Sequence, residues 1–240
     1  MNSRRQLIVN ADDLGLSREV NAGIFAAHEE GIVSSASLMV RHNSTAWQAV
    51  EQSQSCPRLS LGLHVDLGEW ACRDGRWVTL YQVADLNDAP RVRRAIYQQL
   101  DIFRQMTGKD PTHLDSHQHV HRKAPTRRIM RELAHELHIP LRHFAPVQHC
   151  GAFYGQTASG DPLHSAISVE SLLNIIGTLP AGITELACHP SLGDVPNTMY
   201  RAERRLELDA LCDPRLRAHL DAHDIQLISY HDVCLDAVAP

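Results

Sequence analysis

Short apolar runs alternate with amphipathic stretches along the whole chain. The runs are five to seven residues long, and most are rich in Val, Ile and Leu. Continuous apolar runs of this length are typical of strands that are buried on both faces of a sheet. The pattern predicts seven strands, at residues 7–11, 35–40, 59–65, 112–116, 140–144, 184–189 and 225–230.

Between these runs, apolar residues recur with the spacing of amphipathic helices. The predicted helices cover residues 18–31, about 45–52, 91–107, 125–137 and 168–178, with two more within 200–222. Strands that alternate with helices form a parallel sheet with right-handed crossovers. The sequence therefore predicts an α/β protein with about seven parallel strands.

The composition favours one domain that spans residues 1–240. The chain has 240 residues, of which 43% are hydrophobic, enough for one large core. A (β/α) barrel commonly reaches this size undivided, and no linker, repeat or low-complexity segment interrupts the pattern. The formal net charge of -5 gives no electrostatic footprint for nucleic acid. The basic run at residues 91–94 is interpreted as a solvated helix face.

The N-terminal segment and the cysteines predict a cytoplasmic protein. The sequence MNSRRQ is followed directly by LIVNA, which is too short for the apolar region of a secretory signal. No stretch approaches the ~20 apolar residues of a membrane helix. The six cysteines form no CxxC pair, so we expect them to be reduced.

Titratable side chains gather where the predicted strands end. They are Asp12, Asp13, His64, Asp115, His117, Arg142, His143, His189, His231 and Asp232. In a (β/α) barrel the carboxyl ends of the strands meet at one mouth, where active sites lie. Residues that are far apart in the sequence are therefore expected to surround one cavity.

The motif NADDLG at residues 10–15 places two adjacent carboxylates after the first strand. An Asp before a helix commonly serves as an N-cap. Two partly desolvated carboxylates, however, repel one another unless a cation lies nearby. A metal ion supplies such a cation, so Asp12 and Asp13 indicate a metal site as well as a cap.

The segment HLDSHQHVH at residues 113–121 holds four histidines, more than one metal ion needs. Strand alternation places three polar side chains on one side: His113, Asp115 and His117. We expect His117, at the strand end, to bind the metal, and Asp115 to orient an imidazole. His119 and His121 lie beyond the strand, and we expect them to support the substrate or to belong to the loop.

Two further histidines lie at strand ends in apolar segments. His64, within GLHV, is interpretable as a buried core histidine, but at a barrel mouth opposite the paired carboxylates it is interpreted as a metal ligand. His189 lies within LACHPS, where Pro190 favours an extended backbone. A general acid must lie near the metal without binding it, and His189 is a candidate for that role. A structural role is the alternative.

One carboxylate and two imidazoles leave positions on a metal for a water and a substrate carbonyl. Such a site supports hydrolysis with the metal-bound water as nucleophile. The second carboxylate and His189 then supply the base and the acid. Two imidazoles favour zinc, cobalt or nickel, whereas a site completed by waters accepts magnesium. The single divalent ion is therefore expected to be magnesium or zinc.

Four motifs, in this order, resemble those of the YdjC-like carbohydrate deacetylases, a family that includes chitooligosaccharide and hopanoid-associated deacetylases. The matching elements are LIVNADDLGLS, GLHV, THLDSHQHVH and LACHP, and the resemblance runs essentially the whole length. LRHF and FYG agree less distinctively. The combination of NADD with HLDSHxHVH makes the resemblance specific. Leu14 stands where the family usually has Phe, and Gln118 where it often has His.

The resemblance implies a distorted (β/α) TIM-like barrel that removes acetyl groups from N-acetylated sugars with a divalent metal. By matching position, it implies Asp13, His64 and His117 as the metal ligands and Asp12 as the base. It implies His189 as the acid. It also implies a homodimer, since dimers are common in the family.

Other residues around the mouth are predicted to contact the substrate or the catalytic groups. We expect Arg142 to steady the carboxylate of Asp12 or a substrate oxygen. Tyr154 and Trp70 are candidate surfaces for sugar stacking, with loop anchoring as the alternative. The segments 66–88 and 146–163 are expected to overhang the mouth. They do not match the chitooligosaccharide enzymes, so the sugar is left open.

Two other classes of protein share parts of this pattern. A non-haem Fe(II) oxygenase also uses two His and one carboxylate, but those enzymes usually have antiparallel β-folds. A non-catalytic sugar-binding protein would keep the fold but would need neither Asp12 nor His189. Metal-dependent deacetylation therefore accounts for more of the sequence than either alternative.

Overall fold

Seven strands form one curled parallel sheet, which confirms the predicted α/β barrel-type fold. The computed structural model describes residues 4–144, 146–196 and 198–235. The strands within them are β1 (Arg5–Leu14), β2 (Ser35–Leu38), β3 (Ser60–Val65), β4 (Gly68–Arg73), β5 (Arg76–Gln82), β6 (Leu114–Ser116), β7 (Gln148–Cys150), β8 (Gly182–Cys188) and β9 (Ile225–Leu227). The order in the sheet is β6-β3-β2-β1-β8-β7, and β9 pairs with the first residues of β1.

Helices connect the strands of the sheet, close to the predicted positions. They are α1 (Arg18–Glu29), α2 (Asn43–Ser53), α3 (Ala89–Thr107), α4 (Thr126–Leu137), α5 (Val169–Gly177), α6 (Ala202–Leu211) and α7 (Arg215–Ala222). Local sequence sets their ends. The side chain of Ser17 accepts a hydrogen bond from the backbone of Val20 at the start of α1. Gly108, in the left-handed conformation, ends α3.

Both faces of the sheet are covered, which explains the continuous apolar runs. All residues of β2 and β3 are buried. Helix α1 packs tightly against the segment that follows β8, since a Cβ atom on Gly23 would lie 2.4 Å from Cα of Ser191. Only glycine permits this approach, which fixes the segment that carries His189. In the part of the chain that the structure describes, no helix is long and apolar enough to cross a membrane.

The predicted strand at residues 140–144 is wrong. Only Leu141 pairs there, in an isolated parallel bridge with Leu114 of β6. The chain then turns, because His143 has a left-handed φ of 69°, which is incompatible with an extended strand. The backbone N–H of Arg142 still donates to the carbonyl of Leu114. Arg142 is therefore held beside the end of β6, among the other polar residues.

Two elements lie where the sequence analysis expects irregular chain. Strands β4 and β5 form an antiparallel hairpin that turns at Asp74 and Gly75, both with positive φ. An Asp-Gly pair is a strong hairpin signal, so this hairpin was predictable. The second element is β7, a short strand that adds to the sheet beside β8.

Candidate metal-dependent active site

The paired carboxylates lie at a bulge near the end of β1. The register with β2 shifts between Ala11 and Leu14, and Asp13 has a left-handed φ of 68°. In a regular strand, neighbouring side chains point to opposite faces, and a bulge re-aims one of them. Asp12 and Asp13 are consequently both buried and both line the same cavity.

Asp13, His64 and His117 come together at this bulge. The Oδ1 atom of Asp13 lies 3.2 Å from Nε2 of His64 and 3.1 Å from Nδ1 of His117. One potential ligand atom from each residue lies within 4.8 Å of the other two. Three separate parts of the chain, at the ends of β1, β3 and β6, thus contribute one group each.

This donor set fits a divalent cation. The Nε2 atoms of His64 and His117 are buried without a hydrogen-bond partner. Burial by itself would lower the pKa of His64, but Asp115 raises it well above its ordinary value. Burial likewise opposes protonation of His117, and Asp13 raises the pKa of that imidazole. The carboxylates therefore favour positive charge at these imidazoles. A bound metal would supply this charge in place of protons.

Asp115 lies behind His64 and fixes the orientation of its ring. His64 and Asp115 are register partners on β3 and β6, and Oδ1 of Asp115 lies 2.8 Å from Nδ1 of His64. The hydroxyl of Ser37 donates to the other carboxylate oxygen at 2.8 Å. A carboxylate in this position sets the tautomer of an imidazole, so Nε2 of His64 faces Asp13. The sequence analysis did not single out Ser37.

A second compact group of potential ligands consists of Asp12, His64 and Asp115. The guanidinium of Arg142 already neutralises its carboxylates. Arg142 donates from Nη1 and Nη2 to the two oxygens of Asp12, at 2.6 and 2.7 Å, and Nη2 lies 2.9 Å from Asp115. Burial would raise the pKa of Asp12, but Arg142 holds it well below its ordinary value. Asp12 is thus an ionised carboxylate beside the Asp13 group.

Glu185 of β8 anchors Arg142 from the other side. Arg142 donates to Oε1 of Glu185 from Nε at 2.9 Å and from Nη2 at 2.6 Å. Although burial opposes ionisation, Arg142 lowers the pKa of Glu185. The sequence analysis missed this residue. A carboxylate inside an apolar strand is almost never buried without a partner, and that signal was present in TELAC.

Arg204 of α6 is a second buried cation that the sequence analysis missed. Its Nη2 donates to Oδ2 of Asp13 at 2.6 Å, which leaves Oδ1 toward His64 and His117. Burial would raise the pKa of Asp13, but Arg204 and then His117 hold it well below its ordinary value. Helix α6 carries several charged residues, and nothing in the local sequence distinguishes Arg204 from its neighbours.

We expect Arg204→Met to destabilise the metal-free protein by roughly 3–5 kcal/mol, the cost of removing one partner of a buried ion pair. The loss should be smaller with a divalent metal bound, because the ion then neutralises Asp13. Urea unfolding with and without metal measures both values. The matched control is Arg205→Met, since Arg205 is exposed and pairs with Asp209 at the surface. Equal losses in the two states would contradict this role for Arg204.

His189 follows β8 and lies beside Asp12. Its Nε2 is 3.8 Å from Oδ2 of Asp12, and it is not part of the Asp13 group. Glu207 of α6 accepts hydrogen bonds from the backbone N–H of His189 and from the hydroxyl of Tyr200. Oε1 of Glu207 lies 3.7 Å from Nδ1 of His189. Glu207, which the sequence analysis missed, thus holds this segment in place.

The remaining histidines of the segment 113–121 lie outside the Asp13 group. His113 is a core residue whose ring stacks on Tyr230 at 3.8 Å. His119 and His121 pack instead near His143. Burial lowers the pKa of His119 to about 2 and that of His121 to about 3. Only His117 of the four therefore belongs to the candidate metal site.

A cavity of about 660 Å³ opens above these groups. Asp12, Asp13 and His189 lie on its floor, and Tyr154, Trp70 and Trp77 are among its walls. The hairpin β4–β5 carries both tryptophans. Gln118 fastens the hairpin to the site, because its side-chain amide exchanges two hydrogen bonds with the backbone of Trp70. The predicted overhang of segment 66–88 is therefore a fixed hairpin.

Tyr154 stacks on Tyr200 at a ring distance of 4.7 Å and lies edge-on to His189 at 5.6 Å. The two tyrosines form a wall beside the proposed acid. Trp77 is 56% exposed at the cavity rim. Flat aromatic surfaces beside catalytic groups suit the apolar face of a sugar ring.

The chain is similar to known proteins over nearly its whole length. Residues 6–222 match the family described as YdjC-like protein. The chitooligosaccharide deacetylase of Klebsiella pneumoniae is 34% identical over 95% of this chain and 99% of its own length. The carbohydrate deacetylase of Geobacillus stearothermophilus is 30% identical over 95% of this chain and 98% of its own.

Two solved structures have the same fold. A protein of Enterococcus faecalis, described provisionally as a cellobiose-phosphate cleavage protein, superposes with a TM-score of 0.76 at 22% identity. The match covers 95% of this chain and 98% of that chain. A family 4 carbohydrate esterase from Streptomyces lividans, in complex with acetate, has a TM-score of 0.59 at 12% identity over the whole of both chains. At these identities the likeness concerns the fold.

Proposed function

Because this chain belongs to the family of YdjC-like proteins, we propose that it is a metal-dependent hydrolase that removes an acetyl group from an N-acetylated amino sugar or oligosaccharide. Its relatives are named carbohydrate and chitooligosaccharide deacetylases. One observation carries the proposal. The compact Asp13, His64 and His117 group lies in one cavity with an ionised Asp12 and with His189.

Asp13, His64 and His117 would hold the ion. When bound, a divalent metal polarises the acetyl carbonyl and makes the attacking water more acidic. Arg204 and Asp115 orient two of these ligands, through Oδ2 of Asp13 and Nδ1 of His64. The choice between magnesium and zinc depends on how many waters complete the site.

Asp12 acts as the general base and accepts the proton of the attacking water. Its low pKa would make it a weak base in bulk water, but the metal reduces the basicity that is required. Both of its oxygens receive hydrogen bonds from Arg142, which fixes the carboxylate in one orientation. Positioning of this kind accounts for much of the rate that a catalytic group contributes.

His189 acts as the general acid and protonates the leaving amine, so that the amine departs neutral. Its Nε2 lies 3.8 Å from Oδ2 of Asp12 and it is not part of the Asp13 group, as a general acid that does not bind the metal requires. Oε1 of Glu207 lies 3.7 Å from Nδ1 of His189, and Glu207 also accepts a hydrogen bond from its backbone N–H, so Glu207 positions this imidazole. Tyr154 and the two tryptophans of the hairpin would contact the sugar ring.

The two alternative classes receive less support. The sheet is parallel, unlike the antiparallel β-folds of most 2-His-1-carboxylate oxygenases. A sugar-binding protein without activity would gain nothing from an ionised, doubly hydrogen-bonded Asp12. Neither alternative uses the full set of buried groups around the cavity.

Release of acetate tests the proposal. The metal-loaded protein should release one acetate for each free amine formed from N-acetylglucosamine or from its short β-linked oligomers. Prior chelation should stop the reaction, and added magnesium or zinc should restore it. The alternatives give different results, since an oxygenase would consume oxygen with a reductant and a binding protein would retain the sugar intact. No acetate from any N-acetylated sugar with metal present would refute the proposal.

A further inference from the structure

A second group of histidines lies near the proposed active site but outside its machinery. It consists of His119, His121 and His143, and His149 lies beside them. One ring nitrogen from each of the first three lies within 4.8 Å of the other two. The rings of His119 and His143 are 5.1 Å apart, and those of His121 and His143 are 5.6 Å apart. The mechanism above uses none of these side chains.

Two nitrogens of this group have no partner in the protein. They are Nδ1 of His119 and Nε2 of His143, which are buried without a hydrogen bond. A buried polar atom without a partner costs free energy, so each requires an explanation. One cation bound among these neighbouring imidazoles would provide a partner for the unpaired nitrogens.

The backbone is bent to bring these rings together. His119 and His143 both have left-handed backbone conformations, with φ of 51° and 69°. Such conformations are costly for residues with a Cβ atom, and they concentrate at ligand-binding positions. The residues come from two segments, the turn after β6 and the turn after Leu141.

We propose that His119, His121 and His143 form a second metal site, which binds a zinc, nickel or copper ion. Three imidazoles without a carboxylate ligand select these ions over magnesium and calcium, which prefer oxygen. The ring of His149, 4.3 Å from that of His143, provides a fourth imidazole beside the site. The Asp13 group differs in kind, because it includes a carboxylate.

Neighbouring groups hold the ligands as metal sites require. The Oγ atom of Ser116 lies 2.6 Å from Nδ1 of His121, which leaves Nε2 as the ligand atom. That atom lies 3.2 Å from the carbonyl oxygen of Arg142 and would exchange this long hydrogen bond for the ion. Glu185 lies 3.6 Å from Nδ1 of His149. Polar partners behind ligating imidazoles are a general feature of metal sites.

The second site opens on the catalytic cavity. His119 and His149 both line it, together with Asp12 and His189. An ion bound there would face the substrate from the wall formed by β7 and the turn after β6. It would add a contact for sugar hydroxyl groups next to the acetyl-binding position.

Metal stoichiometry tests this inference independently of deacetylation. The full-length protein is freed of metal with a chelator and dialysed against increasing free zinc, and bound zinc is measured. We expect two equivalents for the wild type and one for His143→Ala. His135→Ala is the matched control, because His135 is an exposed histidine with another imidazole ring 6.1 Å away, and it should retain two. Asp13→Asn should retain the equivalent bound by the second site.

Cobalt provides a check that does not depend on counting. Cobalt bound to Asp13→Asn should give the visible absorption of a nitrogen-rich site, and this signal should disappear in Asp13→Asn combined with His143→Gln. Circular dichroism spectra establish that each variant is folded. If folded His143→Ala binds as much zinc as the folded wild type at saturation, or if folded Asp13→Asn binds none, the second site does not exist. Absence of deacetylase activity with two zinc ions bound would instead count against the proposed function alone.

Discussion

His64→Ala should abolish both deacetylase activity and binding at the catalytic metal site. The substitution removes the imidazole that faces Asp13 and leaves Asp13 and Asp115 without the group between them. A catalytic metal contributes several kcal/mol to the transition state, so the rate should fall by at least about 10³-fold. Asp13→Ala and His117→Ala should behave in the same way, because each removes one ligand of the same group.

The measurement combines acetate release with metal content, after chelation and reloading. Each ligand variant should lose activity and one equivalent of metal relative to the wild type. His28→Ala is the control, because His28 lies in α1 and contacts the carbonyl of Val33, away from the cavity. A His64→Ala protein that keeps full activity, or its full metal content, would show that the ion binds elsewhere.

Asp12→Asn should keep the catalytic ion and slow the chemical step by roughly 10²–10⁴, the usual contribution of a positioned acid or base. Asparagine has nearly the same shape and can still accept a hydrogen bond from Arg142. It cannot take a proton at neutral pH. Because Asp13, His64 and His117 remain, metal content should equal that of the wild type.

The pH dependence tests the role of Asp12 as the base. Arg142 depresses the pKa of Asp12, so the ionised form persists from high pH down to below about pH 4, the ordinary range of an aspartate. The rate loss in Asp12→Asn should therefore extend over the whole pH range above that value. His189→Ala should also keep the ion and slow the reaction, because the group that protonates the amine is gone.

Metal content and pH–rate curves for both variants decide the assignment. If Asp12→Asn loses one equivalent of metal, Asp12 is a ligand, and the roles assigned to Asp12 and Asp13 must be exchanged. If both variants keep the ion and the full rate, the hydrolytic mechanism is wrong. His231→Ala serves as a control for a histidine at a strand end, since His231 is exposed and does not line the cavity.

The sequence alone determined the α/β class and most elements. Seven parallel strands were predicted, and six lie close to the predicted positions, because a sheet covered on both faces requires continuous apolar runs. The sequence also indicated Asp12, Asp13, His64, His117 and His189 as candidate site residues, since charged and imidazole groups at the ends of buried strands stand out from their surroundings. Their positions at the predicted strand ends indicated that they surround one cavity.

Only the tertiary structure determined which arginine forms an ion pair with each of the two aspartates. Asp12 pairs with Arg142, which is one of the two roles expected for that arginine. Asp13 pairs with Arg204, which lies far from it in the sequence and was not expected there. The bulge that directs the side chain of Asp13 into the site has no clear signature in the local sequence. Ion pairs between distant residues depend on how the elements pack, and a single sequence records each charge without its partner.

The segment after residue 139 shows the same limit. Its pattern predicts a strand, but the left-handed conformation of His143 ends the pairing after Leu141 and brings the ring of His143 beside His119. No local propensity favours that conformation at this histidine. The backbone adopts it because the surrounding packing holds it there, so its position, and the second group of histidines that depends on it, follow from tertiary structure alone.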